Sequence, residues 1–445
     1  MGLEASRRPQ ARQAMRPQVS PLRGGHLFHR RDWPTLVAVN RRIHLDALSG
    51  ATPAPEVLAA MRPFLAEDFG NPASVHGRGL TAREALAQAR EQVAGLVGAA
   101  PEQIVFTSNG TEANNLAVKG AAWASRARGG HIVLSAIEQP SVDRAVTFLE
   151  STGFTATRVP VDGCGRVSPA AIAAAITPQT LLICLHHAHH DLGVVQDIAT
   201  VGRLAAERGI PLHVDATASA GWLPLDMRAM NIALLTLAPH RFHGPQGVGV
   251  LCRDRRVPLT PLLHGGVQED GLRGGTENVA GIVGAGVAAA LAARDLPAHA
   301  ERAARLQRQL FEGLRDIVPH LRLNGPPLGA DRLCSHLNLS FEFLEGEGLA
   351  LSLDLQGVAI GSGAACTTGK TAVPPALAAI GLDAALARGN VLLSLGRDNT
   401  AEEIAQVLDL MPKQIAKLRA LSPEWAAFQA GTLAARLPAT AAAHP

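Results

Sequence analysis

Through the middle of this chain, short apolar runs recur between longer stretches in which apolar and polar residues follow a helical period. The runs are QIVFTS, HIVLSAI, TATRVPV, TLLICLHHA, PLHVDAT, IALLTLAP and VGVLCRD, all between residues 103 and 254. Several carry Val, Ile and Leu throughout, as strands buried on both faces do, and helix-like segments at 111 to 124, 140 to 150 and 197 to 208 lie between them. The pattern predicts an α/β layered domain with a mostly parallel sheet. A helical segment near 279 to 294 leads into a second block, 296 to 425, with amphipathic stretches at 299 to 316 and 401 to 419 and strand-like HLNLSF and VLLSLG. That block reads as a smaller α+β domain. The expected organisation is a large domain over 41 to 295, a small one over 296 to 425, and disordered tails at 1 to 40 and 426 to 445.

In a parallel sheet the ligand crevice lies beyond the carboxyl ends of the strands, so the residues closing each run are the ones that carry chemistry. The first run closes with Thr107-Ser108-Asn109-Gly110-Thr111-Glu112 ahead of a helix. Gly110 and Thr111 would present backbone N–H groups and a hydroxyl to a phosphate, or serve as an ordinary helix cap. The second closes with Glu138-Gln139-Pro140, where Gln139 would face the crevice or cap the following helix. The fourth gives His186-His187-Ala188-His189-His190-Asp191, the fifth His213-Val214-Asp215-Ala216-Thr217, and the sixth Ala238-Pro239-His240-Arg241-Phe242-His243. A carboxylate that ends a buried strand must meet a cation or donor, which marks Asp215 as a site residue. His187, His190, Asp215, His240 and His243 could converge on Zn or Fe(II), or the histidines could fill space and bond one another. Further on, Gly361-Ser362-Gly363-Ala364-Ala365-Cys366 puts a thiol on a small-residue loop with Lys370 close behind.

Bulk properties narrow the possible roles. A formal charge of +3 over 445 residues and 3% aromatics leave no interleaved basic and stacking surface for nucleic acid. Five scattered cysteines without CxxC spacing argue against a disulfide framework or zinc ribbon, and a reducing cytoplasm is the expected compartment. No uninterrupted apolar run reaches the roughly 18 residues of a membrane span, so no membrane partner is expected. The first forty residues are rich in Arg, Pro and Gln and read as a tail, with a transit peptide as the alternative.

Taken in order, DFGNPASVHG (68 to 77), TSNGTEANNLAVKG (107 to 120), GVVQDI (193 to 198), HVDAT (213 to 217), GPQGVGVL (244 to 251), HGGVQEDGLRGGTENV (264 to 279), LNLSFEFLEGE (337 to 347) and SGAACTTG (362 to 369) resemble the cysteine desulfurases. These belong to the class V aminotransferase branch of the fold-type I pyridoxal-phosphate (PLP) enzymes. The resemblance implies a large domain with a mostly parallel seven-stranded sheet, a smaller α+β domain, and a homodimer in which Thr276 reaches the partner's phosphate. It implies PLP as cofactor, Gly110, Thr111 and His240 at the phosphate, Asp215 at the pyridinium nitrogen, and Cys366 as the residue that takes sulfur from L-cysteine and leaves L-alanine.

Six positions depart from the family. The lysine that holds PLP as an imine is Arg241, the histidine stacked on the ring is Gln139, and a phosphate-binding serine is Ala238. An asparagine and a glutamine near the ring hydroxyl are His190 and Ala218, and the substrate-carboxylate arginine is Leu392. A guanidinium stays protonated and cannot form the imine. The expectation is an atypical or impaired desulfurase relative with a sulfur-transfer or iron-sulfur assembly role, working with a sulfur acceptor or an active paralogue. The alternatives are a non-catalytic partner subunit, noncovalent PLP or a displaced imine on Lys370, and a metal held by the histidines.

Overall fold

The structure is a computed structural model that describes residues 42 to 362 and 373 to 438. Cys366 and Lys370, the first 41 residues and the last seven lie outside the described residues.

The strands follow the apolar runs. In chain order they are β1 (Ile43–Leu45), β2 (Ile104–Thr107), β3 (His131–Ser135), β4 (Thr155–Val159), β5 (Thr180–His186), β6 (Leu212–Asp215), β7 (Leu234–Leu237), β8 (Gly249–Arg253), β9 (Leu321–Leu323), β10 (His336–Phe341), β11 (Val358–Ser362) and β12 (Asn390–Ser394). Seven of them make the large sheet, in the order β2-β8-β7-β6-β5-β3-β4. Only β8 runs against its neighbours; the other pairings are parallel. Strands β3, β6 and β7 are buried at every residue because helices cover both faces, whereas β4, at one edge, is exposed or half-buried until Val159.

The other edge, β2, is closed by side chains. Arg90 donates Nη1 to Ile104 O at 2.7 Å, and Glu269 accepts the Phe106 N–H at 2.8 Å. Arg90 and Glu269 also pair with each other, with Nη1 2.8 Å from Oε2. One ion pair thus satisfies two outward-facing backbone groups of an edge strand that would otherwise be open to pairing with another chain.

The second sheet is ordered β1-β11-β12-β10-β9, with β1 parallel to β11 and the remaining pairs antiparallel. Its first strand therefore comes from the start of the described chain. A single helix, Val279–Ile317, runs through residues 295 and 296, where the pattern predicts two shorter helices, and carries Pro297 within it. An 18-residue window of this helix is apolar enough to suit a membrane span, yet half of that window is buried in the molecule. It packs on helices Pro55–Ala66 and Gly77–Val97. The approach is close: a Cβ on Gly286 would lie 2.7 Å from Ala89 Cα, which only glycine permits.

The C-terminal end differs from expectation. Residues 426 to 438, expected to be disordered, continue from helix Pro423–Gln429 into a segment whose backbone is hydrogen-bonded as far as Leu437. The Ala-rich composition hid Phe428 and Arg436, which supply contacts.

Candidate functional site

Strand β6 ends on Asp215, a carboxylate 2% exposed. Its Oδ2 accepts Asn114 Nδ2 at 2.8 Å, and its Oδ1 accepts the Thr217 N–H at 2.8 Å. Asn114 comes from the helical segment after β2 and also donates to Ser141 Oγ at 2.8 Å. The negative charge is thus held by oriented donors, with lone pairs left on both oxygens for a further partner.

Three loops meet beside it. A Cβ built on Gly110 would stand 3.0 Å from Thr217 Cγ2 and 3.5 Å from Ala238 Cβ, so the helix start, the β6 exit and the β7 exit are in contact. From the β7 exit, Arg241 directs Nη1 to Thr217 Oγ1 at 3.1 Å. The residue whose amide caps Asp215 therefore also receives the guanidinium. His240 is half-buried, and burial together with the Arg241 charge pushes its pKa down to about 4, which leaves the ring neutral. Thr111 lies exposed at the same helix start.

Asp46, in the segment after β1, feels the charge of Arg241 as well. Burial holds its carboxyl above the ordinary range, against a hydrogen bond from Ser49 and the charges of His44 and Arg241. A Cβ on Gly361 would lie 2.9 Å from Asp46 Oδ1 and 3.2 Å from Leu392 Cβ. Leu392 thus stands near a carboxylate, where the resemblance places an arginine. Arg397, the next arginine along, lies 3.7 Å from Glu56 and from Asp398.

Gln139 resolves to its capping role: its Oε1 accepts the Ser141 N–H at 2.6 Å and also bonds the Ser141 hydroxyl. Ala218 and Ala238 are buried, and His190 is half-buried, stacked on His189 with ring centroids 4.7 Å apart. Thr276 is exposed on a segment tied to the helix start by Arg273, whose Nε donates to Glu112 Oε1 at 3.1 Å.

The metal arrangement does not form. Among the described residues no group of three or more His, Cys, Asp or Glu side chains is placed to hold a metal ion. His187 turns to Ser219, its Nδ1 3.0 Å from Oγ, and burial lowers its pKa to about 4. His243 uses Nδ1 on Thr52 O at 2.9 Å and Nε2 on the Arg397 N–H at 3.1 Å. His190 faces Asp191 at 3.6 Å, and Asp215 is held by Asn114 and Thr217. The remaining histidines are absorbed locally. His186 pairs with Glu138 at 2.9 Å, and His189 donates to Ile137 O while accepting the Asp191 and Leu192 N–H groups. Residues of one strand end point to opposite faces, which separates ligands that look adjacent in sequence.

Sequence reasoning passed over Asn114, Ser141 and Thr217. The signal for Asn114 was available: a second amide one turn after Gly110 on a helix that starts at the crevice.

Asp215, with free lone pairs, fits the pyridinium nitrogen of PLP, and Gly110, Thr111 and His240 fit a phosphate. Among the described residues no primary amine stands at the β7 exit, where Arg241 does, so these residues do not fit a covalently attached aldehyde.

The family model for class-V aminotransferases matches residues 43 to 407. A cysteine desulfurase IscS of Methanosarcina thermophila is 40% identical over 384 residues, which is 86% of this chain and 94% of the relative. Another, from Clostridium botulinum strain Hall, is 39% identical over 387 residues, covering 87% and 98%. Among solved structures, a NifS-like protein superposes with a TM-score of 0.80 at 31% identity, covering 85% of this chain and all of that one. A structure of SspA in complex with cysteine gives 0.71 at 36% identity over 80% of this chain and all of that one.

Proposed function

The chain belongs to the class-V aminotransferase family, among its cysteine desulfurases, and from that premise we propose that it handles sulfur through Cys366 without forming the family's imine. The observation that carries the reading is Arg241, at the lysine position, with its guanidinium on Thr217. In the family, PLP supplies an electron sink for chemistry at the substrate's Cα. What the residues at this site offer is a buried carboxylate held by Asn114 and Thr217, a neutral His240 and a permanent cation.

Under this reading sulfur reaches Cys366 by exchange. The Cys366 thiolate attacks the outer sulfur of a donor persulfide, a new S–S bond forms on Cys366, and the donor leaves as its own thiolate. The charge balance is unchanged, and no oxidant is needed. The donor is an active desulfurase or a small persulfide, and the acceptor is a protein of sulfur-transfer or iron-sulfur assembly. A homodimer that brings Thr276 to the neighbouring cleft belongs to the same proposal and is supported by the ion pair that holds its segment.

Two measurements test it. Incubation with a persulfide donor is expected to add the mass of one sulfur to the peptide carrying Cys366; no addition under any donor would refute sulfur carrying. The absorbance of the isolated protein, with and without added PLP, is expected to lack an imine band that borohydride traps, and Arg241→Lys is expected to create one. A second reading, noncovalent PLP, draws on the intact Asp215 network. It requires PLP to co-purify and to be released by gel filtration in denaturant even after borohydride treatment.

A further inference from the structure

Glu342 follows β10 and is 1% exposed. A carboxylate buried there needs donors, and the C-terminal segment provides them. Its Oε1 accepts the Arg436 N–H at 2.8 Å and its Oε2 the Leu437 N–H at 3.0 Å. The Leu437 carbonyl is taken by His320 Nδ1 at 2.8 Å, so this residue's backbone is held from both sides. The Arg436 guanidinium lies 3.5 Å from Glu342 and 3.2 Å from Asp383. Asp383 in turn caps helix Ala384–Arg388 through the Ala385 N–H at 2.8 Å.

Leu437 packs against a buried apolar cluster that includes Leu377, Ile380, Leu382 and Leu386 and extends to Leu192 and Val194. Behind it, His320, Phe343, Trp425 and Phe428 form an aromatic group with centroids 5.0 to 6.3 Å apart. His320 and Phe343 are both held at positive φ, +55° and +69°, a conformation that non-glycine residues adopt at a cost and keep only where the surroundings enforce it. Arg388 and Glu424 close the arrangement at 2.7 Å. All of the C-terminal residues lie past residue 407, where the family match ends.

We infer that residues 433 to 438 are a clasp, anchored on Glu342, that positions the helix pair Pro375–Ala379 and Ala384–Arg388. This pair directly follows, in sequence, the segment carrying Cys366, so freeing it is expected to change the reactivity of that thiol. The link to Cys366 rests on the sulfur-carrying reading. The clasp itself does not.

Hydrogen exchange and thiol alkylation, both read by mass spectrometry on the full chain, test it. A chain ending at residue 432 and the variant Leu437→Ala are each expected to exchange about tenfold faster across 375 to 388, with helix Ala401–Ala420 unchanged. The iodoacetamide rate of Cys366 is expected to shift severalfold, with Cys164 as the internal reference. A synthetic peptide of residues 430 to 445 is expected to restore protection to the truncated chain. Unchanged exchange across 375 to 388 in both variants would overturn the clasp, and faster exchange with an unaltered Cys366 rate would overturn its link to that thiol. Failure of Cys366 to take up sulfur would instead strike the proposed function and leave the exchange result standing.

Discussion

The Asp215 end of the cleft and the Arg241 end are built by neighbouring strands, β6 and β7, yet they have kept different things. At the first, a buried carboxylate, Asn114, Ser141 and the Thr217 amide form a connected set with short hydrogen bonds. At the second, the family's lysine and serine are Arg241 and Ala238. The physical reason for the contrast is what each end owes to folding. Remove a donor from a desolvated carboxylate and the fold itself loses stability. An amine at the β7 exit serves the cofactor, so its replacement by a cation that finds Thr217 leaves the sheet intact. Identity near 40% to cysteine desulfurases can therefore persist around a position whose residue type differs.

The comparison can be broken or sharpened in several ways. Alanine release from L-cysteine by the wild-type protein is expected to fall at least about 100-fold below that of Arg241→Lys loaded with PLP, measured side by side. Equal rates would remove the distinction between the two ends. Glu269→Gln, which opens the pair closing β2, is expected to cost about 3 kcal/mol in denaturant unfolding. That sets the scale for damage to the fold alone. On that scale Asn114→Ala is expected to cost about 1–3 kcal/mol by stripping Asp215 of a donor, while Arg241→Met stays within about 1 kcal/mol of wild type. A costlier Arg241→Met would mean that the altered end also carries the fold.

Acid provides a further probe. His187, His213 and His240 have pKa values near 4 in the folded protein, chiefly because of burial, against about 6.5 in an unfolded chain. Between these values the unfolded state binds more protons, so stability rises with pH there. It is expected to be whole above about pH 6.5 and to fall as pH drops toward 4, followed by the melting temperature across that window. The smallest effect expected is none: a strong chelator should leave the melting temperature unchanged, and a drop would revive a metal among the histidines.

The α/β layering, the seven apolar runs as strands, and Asp215 as a buried carboxylate that needs donors are all legible in the chain, because each follows from local burial pattern or from the cost of a desolvated charge. Gln139 was legible only as a choice between crevice and cap, since a side chain's direction depends on its neighbours. The four histidines at the end of β5 left a choice open for the same reason. Their spacing permits a ligand set, but Ser219, Glu138, Ile137 O and Asp191, from separate segments, claim them one by one. The clasp was hidden altogether, for its partners are about a hundred residues apart and sit in a segment whose composition suggests disorder.

Residue identity alone settled that no amine stands at position 241, because a guanidinium cannot lose its proton wherever the chain places it. The periodicity of apolar residues likewise set the sheet, since burial on one or both faces is a property of local pattern. Which polar groups meet was decided only by the tertiary structure. Thr217 under Arg241, Asn114 on Asp215 and Leu437 on Glu342 join distant segments, and a hydrogen bond depends on distance and direction that no linear spacing specifies.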